Sequence, residues 1–281
     1  LVASAAAAGG VVAWLLVRTP TPESSVAPAP RRRIGLVGAA AAAWVVGPGV
    51  ALPFGLFASQ IRSAGALERF WVESGPAVTE SGLIAAVVGL VCGAVALAVW
   101  RVGSRAAVAG MTVLFVTGAL VPGVLVGCAW RIAWPEGWED SRLLIVLAHA
   151  TRFGVAGVFG GVLLMRIDDQ ATREMMAVDG VRGVGAWWRA SGVRLVPPWM
   201  LSVLVGAVLS FNEIEAAVVV QAAGAMSLPQ RLLNDLHQLR MEAMSAAAVW
   251  LMGVAAAVAA VVLLLSRGVS WAPKPRRSDA E

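Results

Sequence analysis

The sequence predicts an all-α protein, a polytopic bundle of membrane helices, and three observations carry that expectation. Of 281 residues, 59% are hydrophobic and only 14% are charged, where a soluble domain carries about a quarter charged residues. Apolar runs of about twenty residues recur, long enough at ~1.5 Å per residue to cross a ~30 Å hydrocarbon layer. The runs are rich in Ala, Leu, Val and Gly without period-two alternation, so helices rather than a closed barrel satisfy their backbone groups in lipid.

Seven spans are read, at residues 1–17, 34–59, 82–100, 107–130, 143–165, 197–220 and 243–266. The first run starts at Leu1 and is compatible with a cleaved signal or a retained span; its apolar length favours the span. Between it and the second run, Arg18 to Arg33 is rich in Pro and Ser, a composition that cannot hold a helix. The linker divides the chain into an N-terminal span with its linker (1–33), a core of six spans (34–266) and a basic tail (267–281).

The distribution of Lys and Arg orients the spans. With the linker on the cytoplasmic side, fifteen basic residues fall there: Arg18, Arg31, Arg32 and Arg33; Arg101 and Arg105; Arg166, Arg173, Arg182, Arg189 and Arg194; Arg267, Lys274, Arg276 and Arg277. Six fall outside (Arg62, Arg69, Arg131, Arg142, Arg231 and Arg240), and Arg152 lies within a span. That asymmetry obeys the positive-inside rule and puts the C-terminus in the cytoplasm. It also accounts for the net charge of +5 without nucleic acid. Trp100, Trp130, Trp134, Trp199 and Trp271 fall at or near span ends, where an amphipathic ring is favoured. Cys92 and Cys128 lie in apolar runs and read as small packing residues, with neither a disulfide framework nor metal-ligand spacing.

The polar stretch from Arg166 to Val196 stands apart. It carries Asp168, Asp169, Arg173 and Glu174, then Asp179-Gly180-Val181-Arg182-Gly183-Val184-Gly185-Ala186-Trp187-Trp188, and runs into Pro197-Pro198. Acidic residues favour a helix N-terminus, Gly185 permits a sharp turn or a close backbone approach, and paired tryptophans anchor interfaces. Pro197 and Pro198 suit the first turn of the next span. Such a segment reads as a cytoplasmic docking surface.

This stretch resembles the cytoplasmic loop of binding-protein-dependent, type I ABC importer permeases. That family's pattern is Glu-Ala-Ala, three residues, Gly, nine residues, then Ile-x-Leu-Pro. Asp179-Gly180-Val181, Gly185, Leu195 and Pro197-Pro198 keep the spacing, with Asp for Glu, Gly and Val for the alanines, and Pro for Leu. A second register from Glu174 to Gly180 matches the opening but leaves the proline late. Leu120-Val121-Pro122-Gly123 resembles the Pro-Gly of the family's third core span, and Phe211-Asn212-Glu213 the Phe-x-Glu of its fifth. Gly224 to Arg231 and Met241 to Ala248 resemble the external loop and sixth-span entry of the ferric-iron and thiamine branch.

The resemblance implies a six-span type I permease core preceded by one extra span, in a bacterial inner membrane. It implies that residues 166–196 hold a coupling helix for an ATP-binding cassette subunit, with Asp179, Gly180, Arg182, Gly185, Ala186, Trp187 and Trp188 at the contact. It also implies an external substrate-binding protein and a second permease half, as homodimer, heterodimer or fusion. Ferric iron or thiamine leads as solute, with molybdate, phosphonate or polyamine behind. No G-x4-G-K-[ST] run occurs in the chain, so ATP and Mg belong to the partner and this chain is not itself an enzyme. No catalytic constellation and no metal site are expected.

Charge within a bilayer is expensive and faces a partner or water. His149 and Arg152 share a helix face at i,i+3; Asn212, Glu213 and Glu215 fall late in the next span. Two roles stay open for them: ion pairing between helices, or lining of the solute path. A membrane scaffold with a docking loop is the rival reading of the whole chain, and a membrane-embedded enzyme a weaker third.

Overall fold

The computed structural model describes residues 51–63, 65–102, 104–136, 141–168, 174–176, 178–180, 192–221 and 226–269. The run at 1–17, the linker, most of the 34–59 run, residues 181–191 and the tail beyond 269 lie outside the described residues. Among the described residues the secondary structure is entirely helical: α1 (Leu52–Gln60), α2 (Ala66–Val102), α3 (Arg105–Leu120), α4 (Gly123–Ala133), α5 (Arg142–Ile167), α6 (Val193–Phe211), α7 (Glu215–Val220), α8 (Leu228–His237) and α9 (Met241–Val269). Four of them (α2, α5, α6 and α9) are long and apolar enough to cross a membrane, and the bent pair α3–α4 brings the number to five if it counts as one broken span.

Local chemistry sets most of the boundaries. Ser104 accepts from Ala107 N–H at 3.2 Å to start α3, and Ser141 from Leu143 N–H at 3.1 Å to start α5. Ser227 and Gln230 form a reciprocal capping box at the head of α8, satisfying two otherwise orphaned donors. Ser227→Ala is expected to destabilise α8 by about 1 kcal/mol, read as faster hydrogen exchange of its first-turn amides with α5 unchanged.

The 82–100 span is the inner part of a longer helix. α2 begins at Ala66, because Ala66, Phe70, Ser74, Ala77, Val78 and Ser81 continue a buried helical stripe. Glu68, Arg69, Glu73 and Glu80 on its other faces hide that stripe from a hydropathy reading. At ~1.5 Å per residue α2 is about 56 Å long, so its first turns project past the hydrocarbon.

Two expected spans are corrected. The 107–130 run is not one helix: α3 and α4 meet at a 108° bend. Pro122 supplies no N–H and forces the preceding residue out of the helical region, and Val121 is extended, with φ −74° and ψ 134°. The 197–220 run is also broken, since α6 ends at Phe211 and α7 restarts at Glu215. There the Asn212 side chain donates to the Val208 carbonyl at 2.8 Å, and the Glu213 carboxylate takes the Ala216 N–H at 2.9 Å. The Asn212 side chain thus adds to the backbone bond that Val208 already accepts, and the Glu213 side chain stands in for a carbonyl at the start of α7.

α2 and α5 run antiparallel at the centre of the bundle. Arg142 meets Glu80 at 2.7 Å at one end, and Trp100 Nε1 donates to Asp168 at 3.0 Å at the other. α6 packs across both, with Leu195 beside Ala96 and Leu164 at the Trp100 end and Ser210 beside His149 at the opposite one. α3 and α4 carry the chain between the two ends. The tryptophans do more than mark a belt: Trp199 Nε1 donates to the Gly93 carbonyl at 3.1 Å and Trp130 Nε1 to Thr151 Oγ1 at 2.9 Å. On the outer faces, Leu83, Leu90 and Leu97 of α2 and Leu114 of α3 are exposed, as lipid contact requires.

Close approach of these helices depends on α5 glycines. Gly157 and Gly161 face α2, Gly160 faces Ser202 of α6, and Gly154 faces Phe115 of α3. A Cβ at Gly161 would stand 2.7 Å from the Ala96 carbonyl oxygen, inside van der Waals contact. With little hydrophobic drive between helices in lipid, such small-residue seams supply the dispersion contacts that hold a bundle.

Candidate functional site: charges where two broken helices meet

The breaks in α3–α4 and α6–α7 face each other across α5. Arg152 lies ten residues into α5, about 15 Å along its axis, and is the hub. Its guanidinium pairs with Glu213 at 2.5 Å and with Glu215 at 3.5 Å. Each carboxylate also holds a backbone end. Glu215 Oε2 accepts from Gly123 N–H, the first amide of α4, at 2.8 Å, and Glu213 Oε1 accepts from Ala216 N–H. A carboxylate at a helix N-terminus is favoured by the helix dipole, so the cluster satisfies charge and broken backbone together.

Glycine at position 123 leaves room for the cluster. A Cβ on it would meet Arg152, Glu213 Oε1 at 2.8 Å and Glu215 Cβ at 2.8 Å. The Phe153 ring lies 5.6 Å from the Arg152 guanidinium carbon, a cation–π distance. Glu213 is almost fully buried, while the Glu215 side chain is about half exposed, at 53%; the cluster therefore has a dry side and an open side.

Of the intramembrane residues singled out from sequence, Arg152, Glu213 and Glu215 form one cluster. His149 sits one turn away, with Nδ1 2.8 Å from Ser210 Oγ and its ring edge-on to Phe153. Asn212 does not join them: it is exposed and bonds its own helix. Three participants escape a sequence reading. The Gly123 amide is a backbone group; Ser210 and Gln221 are ordinary polar residues whose significance comes only from what faces them. Arg142, read as an outer charge, pairs with Glu80 at the end of α5.

In the polar stretch after α5, residues 174–176 and 178 are helical, Asp179 N–H bonds the Met175 carbonyl at 2.9 Å, and Gly180 turns the chain at φ +66°. Glu174, Met175, Val178, Asp179 and Gly180 are exposed. Arg182, Gly185, Ala186, Trp187 and Trp188 lie outside the described residues. At the opposite end, an open cleft of about 450 Å³ is lined by Arg69, Glu73, Asp235, Arg240 and Glu242. Its charges pair at 3.4–3.8 Å, Arg69 with Glu242, Arg231 with Glu73 and Arg240 with Asp235. Arg69 and Glu242 are exposed, where an ion pair contributes little, while Asp235 is buried; the cleft is an open surface feature. No group of His, Cys, Asp and Glu suited to a metal ion occurs among the described residues.

No family model matches the chain, and no curated protein matches it in sequence. The helices themselves, several long and apolar enough to cross a membrane around a buried charge cluster, are those of a multi-pass helical membrane protein.

Proposed function

We propose that the chain is the transmembrane permease subunit of an ATP-driven importer. It passes a small solute, of the ferric-iron or thiamine class, from an external binding protein across a bacterial inner membrane. ATP hydrolysis takes place on a separate cytoplasmic subunit docked on residues 166–196. In this reading residues 34–51 complete a six-span core, and a second permease half closes the path.

One observation carries the reading: two discontinuous helices whose broken ends meet at Arg152, Glu213 and Glu215. Irregular backbone at membrane depth is tolerated only where protein buries it or it lines a watery cavity. Half-helix ends facing charged groups near the middle of the bilayer are a recurring way to build a solute site in transporters. A docking scaffold needs no such break. The exposed turn at Val178, Asp179 and Gly180 supports the loop as a surface for a partner, and the spacing to Gly185 and Pro197 supports an ATP-binding cassette subunit as that partner.

The test is ATP-driven uptake by vesicles holding this chain with its ATP-binding subunit and binding protein, offered ferric iron and thiamine first. Asp179→Lys and Gly185→Val are expected to abolish uptake while the subunits remain assembled. Wild-type uptake in both variants would remove the loop from energy coupling.

A further inference from the structure

Beside the charge cluster, α2, α5, α6, α7 and the start of α8 line a small chamber of about 30 Å³, its wall largely apolar through Ile84, Ile145 and Phe211. Ser81, His149, Ser210, Glu213, Gln221 and Ser227 line it. Two of these residues bring buried polar atoms, His149 Nε2 and Gln221 Oε1, that have no hydrogen-bond partner among the described residues. His149 is only 3% exposed, and its other ring nitrogen is already engaged by Ser210. Leaving such atoms unsatisfied forfeits their hydration with nothing in return, and nearly all buried polar groups in folded proteins find a partner.

We infer that this chamber is a binding site for ordered water, which bridges His149 Nε2 and Gln221 Oε1. A water molecule needs at least about 10–15 Å³ of such space and two to four polar partners; the chamber supplies both. Gln221 Oε1 can only accept, so the water donates one proton there. It then accepts from Nε2 when that nitrogen carries the proton, or donates to it when it does not, so either tautomer is satisfied. A cation fits less well, because the two carboxylates at the chamber wall are already neutralised, Glu213 by Arg152 and Glu80 by Arg142. The inference concerns the interior of the bundle and holds whether or not the chain is a permease.

The sequence makes the test tractable, since His149 and His237 are the only histidines. His237→Gln leaves one ring to observe in ¹⁵N-histidine-labelled protein reconstituted in bilayers. Magic-angle-spinning NMR then measures magnetisation transfer from water protons to the His149 ring nitrogens. Transfer to Nε2 is expected, with Nε2 at a hydrogen-bonded chemical shift. Gln221→Met, close in shape but lacking the amide oxygen, is expected to lower that transfer about fivefold, the occupancy change for one net hydrogen bond lost. Absence of transfer to Nε2 with Gln221 intact overturns the site, and needs no variant to fold. Undiminished transfer in Gln221→Met overturns the bridge.

Discussion

Gly157→Leu is expected to unseat α5 from α2 and produce the largest loss of stability of any single change in the bundle. A Cβ on Gly157 would collide with the Cys92 carbonyl oxygen and stand 2.8 Å from Val95 Cβ. The obstacle is backbone in the middle of a long helix, so no rotamer change relieves it. Overpacking in a well-filled core costs about 1–3 kcal/mol, and a collision with main chain belongs at or above the top of that range, a large share of the roughly 5–15 kcal/mol that holds a domain folded. Gly110 of α3 is the control. It is exposed with open space around its Cα, and Gly110→Leu should be neutral or mildly stabilising as helix propensity improves. The measurement is the unfolding midpoint of both variants in lipid or mild detergent. Equal midpoints would show that α5 and α2 do not pack through this seam.

Arg152→Met is expected to follow closely, because it strands Glu213 as a buried carboxylate. Removing one partner of a buried ion pair costs about 3–5 kcal/mol. The charge-reversed pair Arg152→Glu with Glu213→Arg is expected to recover only part of that loss. Glu213 also accepts from Ala216 N–H, and an arginine in its place has nothing to accept with. Glu215, still bound to Gly123 N–H, would then face the carboxylate introduced on α5 as a like charge. A double-mutant cycle between Arg152→Met and Glu213→Gln isolates the pair itself. A destabilisation below about 1 kcal/mol for Arg152→Met, the scale of an exposed pair, would show that the pair does not bind α5 to the broken segment.

Hydropathy reads some elements well and others poorly, for identifiable reasons. The 143–165 and 243–266 runs correspond to α5 and α9 within a few residues, because neither contains a proline that would break a helix. The first half of α2 is hidden by Glu68, Arg69, Glu73 and Glu80, whose charges lower the hydropathy although three of them form ion pairs with other helices. The two broken spans escape it because their breaking residues are few. Pro122 is visible and reads as a motif rather than a bend; Asn212 and Glu213 are visible as polar groups, yet nothing local says that the helix stops beneath them. Arg152, Glu213 and Glu215 stand out as charges in apolar surroundings, whereas Ser210 and Gln221 carry no signal at all.

By itself the sequence determined that the described residues are helical, that several helices run to membrane-spanning lengths, and that a long polar segment separates two of them. Composition and period are enough for that, since lipid tolerates only segments that satisfy their own backbone. Tertiary structure alone decided that α3–α4 and α6–α7 break at one depth, that Arg152 draws both breaks together, and that His149 and Gln221 share a chamber. Those facts depend on which residues face each other across α5. Helix register and crossing set that, through glycines whose role is invisible until a neighbouring backbone lies against them.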